Sequence, residues 1–445
     1  MCPRRLPGLD VRFISLRRSG RGETGLDALF PCEATMRDNI KTLLKQRRPG
    51  YSLPRPFYVD PEVHQLDLDL IYYKQWLFAG HDCEMKQPGD YITMQVGDYS
   101  VIVVRGGDGE IRAFHNTCRH RGSRICSASK GSAVRLVCPY HSWSYGLDGR
   151  LLFARDMQKP FDPQQLGLKP VACESAGGYV WICLAESPPD FATFARMMTP
   201  YFAPHDLKNA KVAHESVIIE KGNWKLVWEN NRECYHCLPN HPELCRTFPE
   251  ASAVSGIAGA ESDPEITKHW TRMEAAGLPS HFHMADDGKY RMTRVPLLPH
   301  AWSYTMSGEP AVAKLLAAEV KEPKIGSLLT FNYPSLWNHV LGDHACSFRV
   351  LPISATETQL TTRWLVNAEA VEGVDYTIEG LTEVWNATND EDRRIVEENQ
   401  RGIMSPAYEP GPYNAIHEDG VVQFVEWYAG ALERALGGTS VRSVA

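Results

Sequence analysis

Apolar and polar positions change period along this chain, and the changes divide it into units. From Asp90 to His115 they alternate in short runs, so Asp90–Val96, Ser100–Val104 and Glu110–His115 predict β-strands. The turns between them carry Gly97-Asp98 and the run Gly106-Gly107-Asp108-Gly109. GYVWICL at 178–184 predicts a further strand, and together these runs mark a small all-β domain over about 77–190. Ahead of it, PEVHQLDLDLIYYKQW at 61–76 has helical spacing, and residues 36–76 are expected to pack as a helical segment on the larger C-terminal domain. Residues 1–35 are Arg- and Gly-rich without periodicity and predict a flexible extension.

Beyond a Pro-rich connector (Pro188, Pro189, Pro200, Pro204) the patterns mix. Val217–Glu220, Thr330–Tyr333, Ala345–Pro352 and Glu357–Leu365 predict strands. Asn223–His236 and Tyr376–Gln400 predict long helices, and GVVQFVEWYAGALERAL within 419–436 is amphipathic. An antiparallel sheet wrapped around long helices over about 191–440 makes the fold class α+β.

Composition narrows the function. The 445 residues carry a net charge of −7, without a basic stripe, which argues against a nucleic-acid partner. No apolar run approaches the ~20 residues of a membrane helix, and the N-terminus lacks the apolar core of a signal peptide. A cytoplasmic protein is expected, its twelve cysteines reduced or metal-bound rather than paired. On that view Cys234 and Cys237, a C-x-x-C pair, are buried reduced thiols.

The chemistry lies in four of these positions. Cys118-x-His120 is followed, seventeen residues on, by Cys138-x-x-His141. Two thiolates can hold one iron of a two-iron, two-sulfide cluster and two neutral imidazoles the other, which raises the reduction potential above that of an all-cysteine cluster. Structural zinc could use the same donors. However, Cys-x-His is an unusual first pair for a zinc finger, no His-x3-His follows, and Pro139, Tyr140, Trp143 and Asp148-Gly149 fit a loop between strands. CRHRG followed by CPYHSWSY and LDG resembles the two cluster loops of the Rieske proteins.

A second constellation lies in GNWKLVWENNRECYHCLPNHPEL at 222–244. On an unbroken helix, residues five apart diverge by about 140°, so His236 and His241 could not meet at one ion. Pro239 between them is expected to break the helix and let them converge. A mononuclear Fe(II) site that activates dioxygen needs two such imidazoles, one carboxylate and open positions. The acids Asp390, Glu391, Asp392 and Glu397 are the candidates, and the spacing alone does not choose among them.

Both segments resemble the large subunit of the Rieske non-haem iron oxygenases, over about residues 45–432. The resemblance implies a [2Fe–2S] cluster and one Fe(II) per chain. Asp392, at the head of an Asp-x-x-apolar-x-Glu-x-x-Gln pattern ending at Gln400, would be the carboxylate. It also implies that Glu233, where the family usually has Asp, links the cluster of one subunit to the iron of its neighbour, that Asn230 is an amide beside the iron, and that the assembly is a homotrimer. The chain has no nucleotide-binding fingerprint, so a separate flavin/iron–sulfur NAD(P)H reductase is the implied electron donor. ENNRECYHC and SPAYEPGPYN at 405–414 are most similar to the quaternary-amine group of that family, whose substrates include glycine betaine and proline betaine. O₂-dependent N-demethylation with release of formaldehyde is therefore expected. The alternatives are an aromatic-ring-hydroxylating dioxygenase and a non-enzymatic electron-transfer or zinc-stabilised binding protein.

Overall fold

The computed structural model describes residues 31–158, 160–249, 260–317 and 320–437. Its helices are α1 (Pro31–Gln46), α2 (Pro56–Val59), α3 (Pro61–Leu70), α4 (Ala192–Phe202), α5 (Trp224–Asn231), α6 (Cys237–Asn240), α7 (Pro264–Ala275), α8 (Ile378–Met404) and α9 (Asp419–Ala435). Among the described residues, no helix is long and apolar enough to cross a membrane. Residues 1–30 of the expected N-terminal extension lie outside the described residues. Its last five residues are helical, because α1 begins at Pro31.

The N-terminal unit is an antiparallel sheet built as the alternating runs require. Its strands are β1 (Leu77–His81), β2 (Asp90–Val96), β3 (Tyr99–Arg105), β4 (Ile111–His115), β5 (Lys130–Ser132), β9 (Pro170–Ala176) and β10 (Tyr179–Cys183), in the order β1-β10-β9-β4-β3-β2-β5. A smaller sheet of β6 (Leu136–Val137), β7 (Ser144–Tyr145) and β8 (Leu151–Phe153) carries the second Cys/His loop.

The C-terminal unit is a second seven-stranded sheet, in the order β11-β17-β16-β15-β14-β13-β12. It comprises β11 (Lys211–Glu220), β12 (His283–Met284), β13 (Tyr290–Val295), β14 (Ser327–Asn332), β15 (Leu336–Val340), β16 (His344–Ser354) and β17 (Glu357–Val366). Period two gives this sheet two different faces. Leu328, Leu336, Val340, Ala345 and Leu365 share a core with Phe78 and Trp181 of the N-terminal sheet. The alternate positions, Phe331, Trp337, Phe348 and Trp364, share the other core with α5, α8 and α9 through Trp224, Trp228, Val384, Trp385 and Phe424. Polar ties cross the junction of the two sheets: Asn338 Nδ2 donates to Tyr179 Oη at 2.8 Å, and His81 Nε2 lies 2.8 Å from Ser347 Oγ. Helices α5, α8 and α9 thus pack on one face of the large sheet, and Phe78 and Trp181 of the N-terminal unit on the other.

Helix α5 is held by charge from both ends of the chain. Asp67 of α3 accepts from Lys225 Nζ, from Trp224 Nε1 at 2.9 Å and from Tyr428 Oη of α9 at 2.7 Å. Both charged side chains are fully buried. Burial pulls the Lys225 ammonium below its usual range, and Asp67 opposes the shift. One turn on, Glu229 accepts from Tyr58 Oη at 2.8 Å and Tyr413 Oη at 3.1 Å. Its pKa is pushed up to about 7, chiefly by burial.

Two helices end earlier than their spacing predicts. The 61–76 pattern stops at Leu70 and continues as a 3₁₀ turn at Tyr72–Lys74, where Ile71 and Tyr72 are wholly buried. The 223–236 pattern stops at Asn231, upstream of both histidines, and Pro239 sits inside the separate short helix α6. Replacing Asp67 with Ala leaves Lys225 charged and unpaired in the core. It is expected to cost about 3–5 kcal/mol, read as a fall in unfolding free energy in urea.

Candidate metal centres

The two Cys/His loops fold into matching turns. In the first, Cys118 N–H donates to Ser123 O (2.9 Å) and Gly122 N–H to Cys118 O (3.0 Å). In the second, Cys138 N–H donates to Trp143 O (2.8 Å) and Ser142 N–H to Cys138 O (3.0 Å). Each turn passes through a left-handed residue at the same place, Gly122 with φ +78° and Ser142 with φ +61°. Cys118 and Cys138 are buried, whereas the rings of His120 and His141 stand at the surface with their Nδ1 atoms 3.1 Å apart. His120 stacks on Trp143 and His141 on Tyr140. Tyr145 Oη accepts from Arg119 N–H at 3.0 Å, which leaves its own O–H to donate to Cys118 Sγ at 3.2 Å. Thiols inside, imidazoles outside and a hydroxyl on one sulfur fit a two-iron cluster whose histidine side meets solvent. Sequence reasoning did not assign Tyr145 a role, although it closes the second motif.

The second site is built where α5 ends. Asn223 caps the helix by accepting from Lys225 N–H at 3.0 Å, and its own N–H donates to Gln400 Oε1 of α8 at 2.8 Å. After Asn231 the chain turns around Glu233, whose carboxylate accepts from the backbone N–H groups of Tyr235 and His236 and contacts His236 Nδ1. Glu233 therefore meets His236 through a turn rather than along a helix face. On α8, Asn389 Nδ2 donates to Thr362 Oγ1 of β17 at 3.1 Å, fixing the register of helix and sheet. Asp392, three residues on, puts Oδ1 3.2 Å from His236 Nε2 and 3.0 Å from His241 Nε2. Asn230 Nδ2 lies 3.4 Å from His236 Nε2.

Of the four candidate acids, Asp392 alone faces both histidines. Asp390 pairs with Arg393 at 2.9 Å, and Glu397 accepts from Lys221 N–H at 3.2 Å. Glu391 Oε2 contacts the far nitrogen of His241, Nδ1, at 2.8 Å. His241 Nε2 and Asp392 Oδ1 are buried without a hydrogen-bond partner, although they face each other. Orphaned donor atoms around one point are what a cation would satisfy, so two imidazoles and a carboxylate fit a mononuclear iron with open positions. Glu220, at the end of β11, is pushed up to about 8, mainly by burial and then by the charges of Asp392 and Glu397. Nothing in its sequence context marks Glu220.

The cysteines between the ligands differ from expectation. Cys234 and Cys237 form a disulfide, not a pair of reduced thiols. The turn that follows α5 brings their Cα atoms to 4.9 Å, within bonding range. Cys237 Sγ lies within 4.8 Å of the ligand atoms of His236 and His241. Bonded to Cys234, it offers no thiolate, so Asp392 is the candidate third donor.

Comparison with known proteins gives the family. Residues 75–169 match the Rieske [2Fe-2S] domain family and residues 207–434 the ring hydroxylating alpha subunit catalytic domain family. The chain is 46% identical over 423 residues to the glycine betaine monooxygenase oxygenase subunit of Pseudomonas aeruginosa (strain UCBPP-PA14), covering 94% of this chain and 97% of that protein. It is also 46% identical over 401 residues to the protein of the same name from Chromohalobacter salexigens, covering 89% of each. The fold is similar to that of the quaternary ammonium Rieske monooxygenase CntA in complex with substrate L-carnitine (TM-score 0.65, 23% identity, 88% of this chain and 98% of that one). It is also similar to that of naphthalene 1,2-dioxygenase from Rhodococcus sp. (TM-score 0.63, 17% identity, 89% and 98%).

In the metal-free protein, burial lowers the pKa of His236, but Asp392 and Glu233 outweigh it and raise it to about 10. Burial opposes ionisation of Asp392, yet the two histidines hold its carboxyl down to about 2. The raised His236 stabilises the metal-free fold fully below about pH 6.5 and loses that contribution as pH rises through about 10. The depressed Asp392 contributes above about pH 4 and loses it as pH falls through about 2. A cation must displace the His236 proton. Co(II) titration of the metal-free protein should therefore show binding that tightens between pH 6.5 and 8.5 by about tenfold per unit for each proton displaced.

Proposed function

The chain belongs to the Rieske non-haem iron oxygenase alpha subunits, and from that premise we propose that it oxidatively N-demethylates glycine betaine to dimethylglycine and formaldehyde. The observation that carries the substrate is the near-full-length match to the Pseudomonas and Chromohalobacter proteins, at an identity well above that to any of the solved structures described. The family carries one [2Fe–2S] cluster and one mononuclear iron per chain, which when bound supply single electrons and dioxygen activation. O₂, two electrons and two protons convert one N-methyl carbon to a hydroxymethyl group and release water. The C–N bond then breaks: nitrogen keeps the electron pair, and the carbon leaves as formaldehyde with loss of the hydroxyl proton.

The roles follow the geometry. In this reading residues 77–190 form the Rieske domain, with Cys118, His120, Cys138 and His141 as cluster ligands. Residues 191–440 form the catalytic domain, with His236, His241 and Asp392 as iron ligands. Asn230, 3.4 Å from His236 Nε2, is the amide that steers molecules entering beside the metal. Trp385 lies two turns before Asp392 on α8, hence on the same face. It packs with Tyr304, His339 and Phe348 at ring separations of 4.5–5.5 Å. Aromatic faces on this side of the iron suit a quaternary ammonium, which no hydrogen bond can hold.

Electron entry is best served between copies of the chain. The surface edge of His120 and His141 is flanked by Arg119, Arg121 and Arg124, and the mouth of the iron site presents Glu233 with exposed Tyr235 and Leu238. Basic tip and acidic, partly apolar mouth are complementary, which supports a cyclic homotrimer in which Glu233 links His236 to a neighbour's cluster. A separate NAD(P)H reductase in the cytoplasm completes the system.

With that reductase, NADH and O₂, glycine betaine is expected to yield stoichiometric formaldehyde, and proline betaine less. Absence of formaldehyde from glycine betaine would sink the substrate assignment. Replacing Glu233 with Ala should slow reoxidation of the reduced cluster in stopped flow by tenfold or more, while cluster absorbance and labile sulfide stay at wild-type values.

A further inference from the structure

Consecutive residues on a helix point about 100° apart, so Glu391 and Asp392 should not serve one group. They do so here because His241 lies along the flank of α8. Asp392 Oδ1 reaches Nε2 of the ring at 3.0 Å, and Glu391, one methylene longer, reaches Nδ1 at 2.8 Å. The ring is buried, 1% exposed, so water does not compete for Nδ1. His236 has the same arrangement from a different element: Nδ1 contacts Glu233 and Nε2 faces Asp392. Each histidine thus has a glutamate behind it and the shared aspartate in front.

We propose that Glu391 is the positioning residue for His241. It takes the Nδ1–H hydrogen bond, fixes the tautomer that leaves the Nε2 lone pair facing the metal, and makes that nitrogen a stronger donor. Glu391 and Glu233 then divide two tasks. Glu233 lies in the turn at the mouth and, on the reading above, also touches a neighbour. Glu391 belongs to the same helix as Asp392 and ties the angle of His241 to that ligand. The carboxylate that looks redundant beside Asp392 is the one that orients the other ligand of the pair.

The inference rests on His241 and Asp392 being iron ligands, not on the substrate. It is tested on the purified full-length protein, cluster in place, with the mononuclear site emptied and titrated with Co(II). Glu391→Ala is expected to weaken Co(II) binding about 10- to 100-fold and alter its visible spectrum, with cluster absorbance and labile sulfide unchanged. Glu391→Gln keeps an acceptor oxygen and should fall between Ala and wild type. Asp390→Ala removes the same charge one residue earlier and should bind as wild type does. If Glu391→Ala lowers the melting temperature, Glu391→Met replaces it, keeping side-chain length without the acceptor. Wild-type affinity and spectrum in the well-folded Ala or Met variant, with binding lost in His241→Ala, would overturn the role of Glu391 alone. Wild-type binding in His241→Ala would overturn the ligand assignment as well.

Discussion

The catalytic half depends on one constraint: two histidines five positions apart must converge on a single point, and a continuous helix forbids it. The chain meets this by ending α5 at Asn231, before either histidine, and wrapping the next turn around the Glu233 carboxylate. That solution requires the end of α5 to be held still. Asn223 anchors the helix start to Gln400 of α8, and α8 in turn is registered on the sheet through Asn389 and Thr362. Asp392 lies on that same helix, so its position relative to the histidines depends on these ties. The chain also departs from the simplest solution, a proline break between the two ligands. Pro239 is tolerated in the first turn of a new short helix, where its missing N–H costs nothing.

Charge is concentrated around this site and balanced within it. Asp392, Glu391 and Glu233 approach two imidazoles, and the buried Glu220 lies near enough to Asp392 to feel its charge. Their mutual repulsion is relieved by a cation, by protons on the histidines, or by neutralising Glu220. The cluster site has the opposite design. Its thiols are buried in a neutral pocket while its imidazoles and the nearby arginines meet solvent.

Much of this was legible before any coordinates. The two Cys/His loops carry their turn geometry in their spacing, because each short loop must fold back on itself. Eight strands followed from period two, six of them within two residues at their ends; β11 begins six residues and β14 three residues before the predicted start, and β1, β9, β13 and β15 lay outside the predicted runs. What the sequence did not disclose were contacts across the fold. Glu391 and Asp392 are neighbours in one acidic run, and only the lie of His241 against α8 separates their tasks. Glu220 is an ordinary strand residue until α8 covers it. The Cys234–Cys237 bond depended on where α5 ends, and periodicity placed that end five residues too late, since Arg232 to His236 also suit a helix face.

The two buried acids that hold α5 have a consequence for how this molecule is made. Asp67 and Tyr58 come from the chain ahead of the small β domain, whereas Tyr413 and Tyr428 come from its last helix and the loop before it. The catalytic half is therefore split in sequence, with the cluster-bearing unit inserted between its first and last parts. On the ribosome, Asp67 emerges early and waits through most of synthesis for Tyr428. The small β domain, whose strands all lie ahead of the second sheet in sequence, can fold meanwhile. The contacts that hold α5 are thus completed only once the last helix has been made.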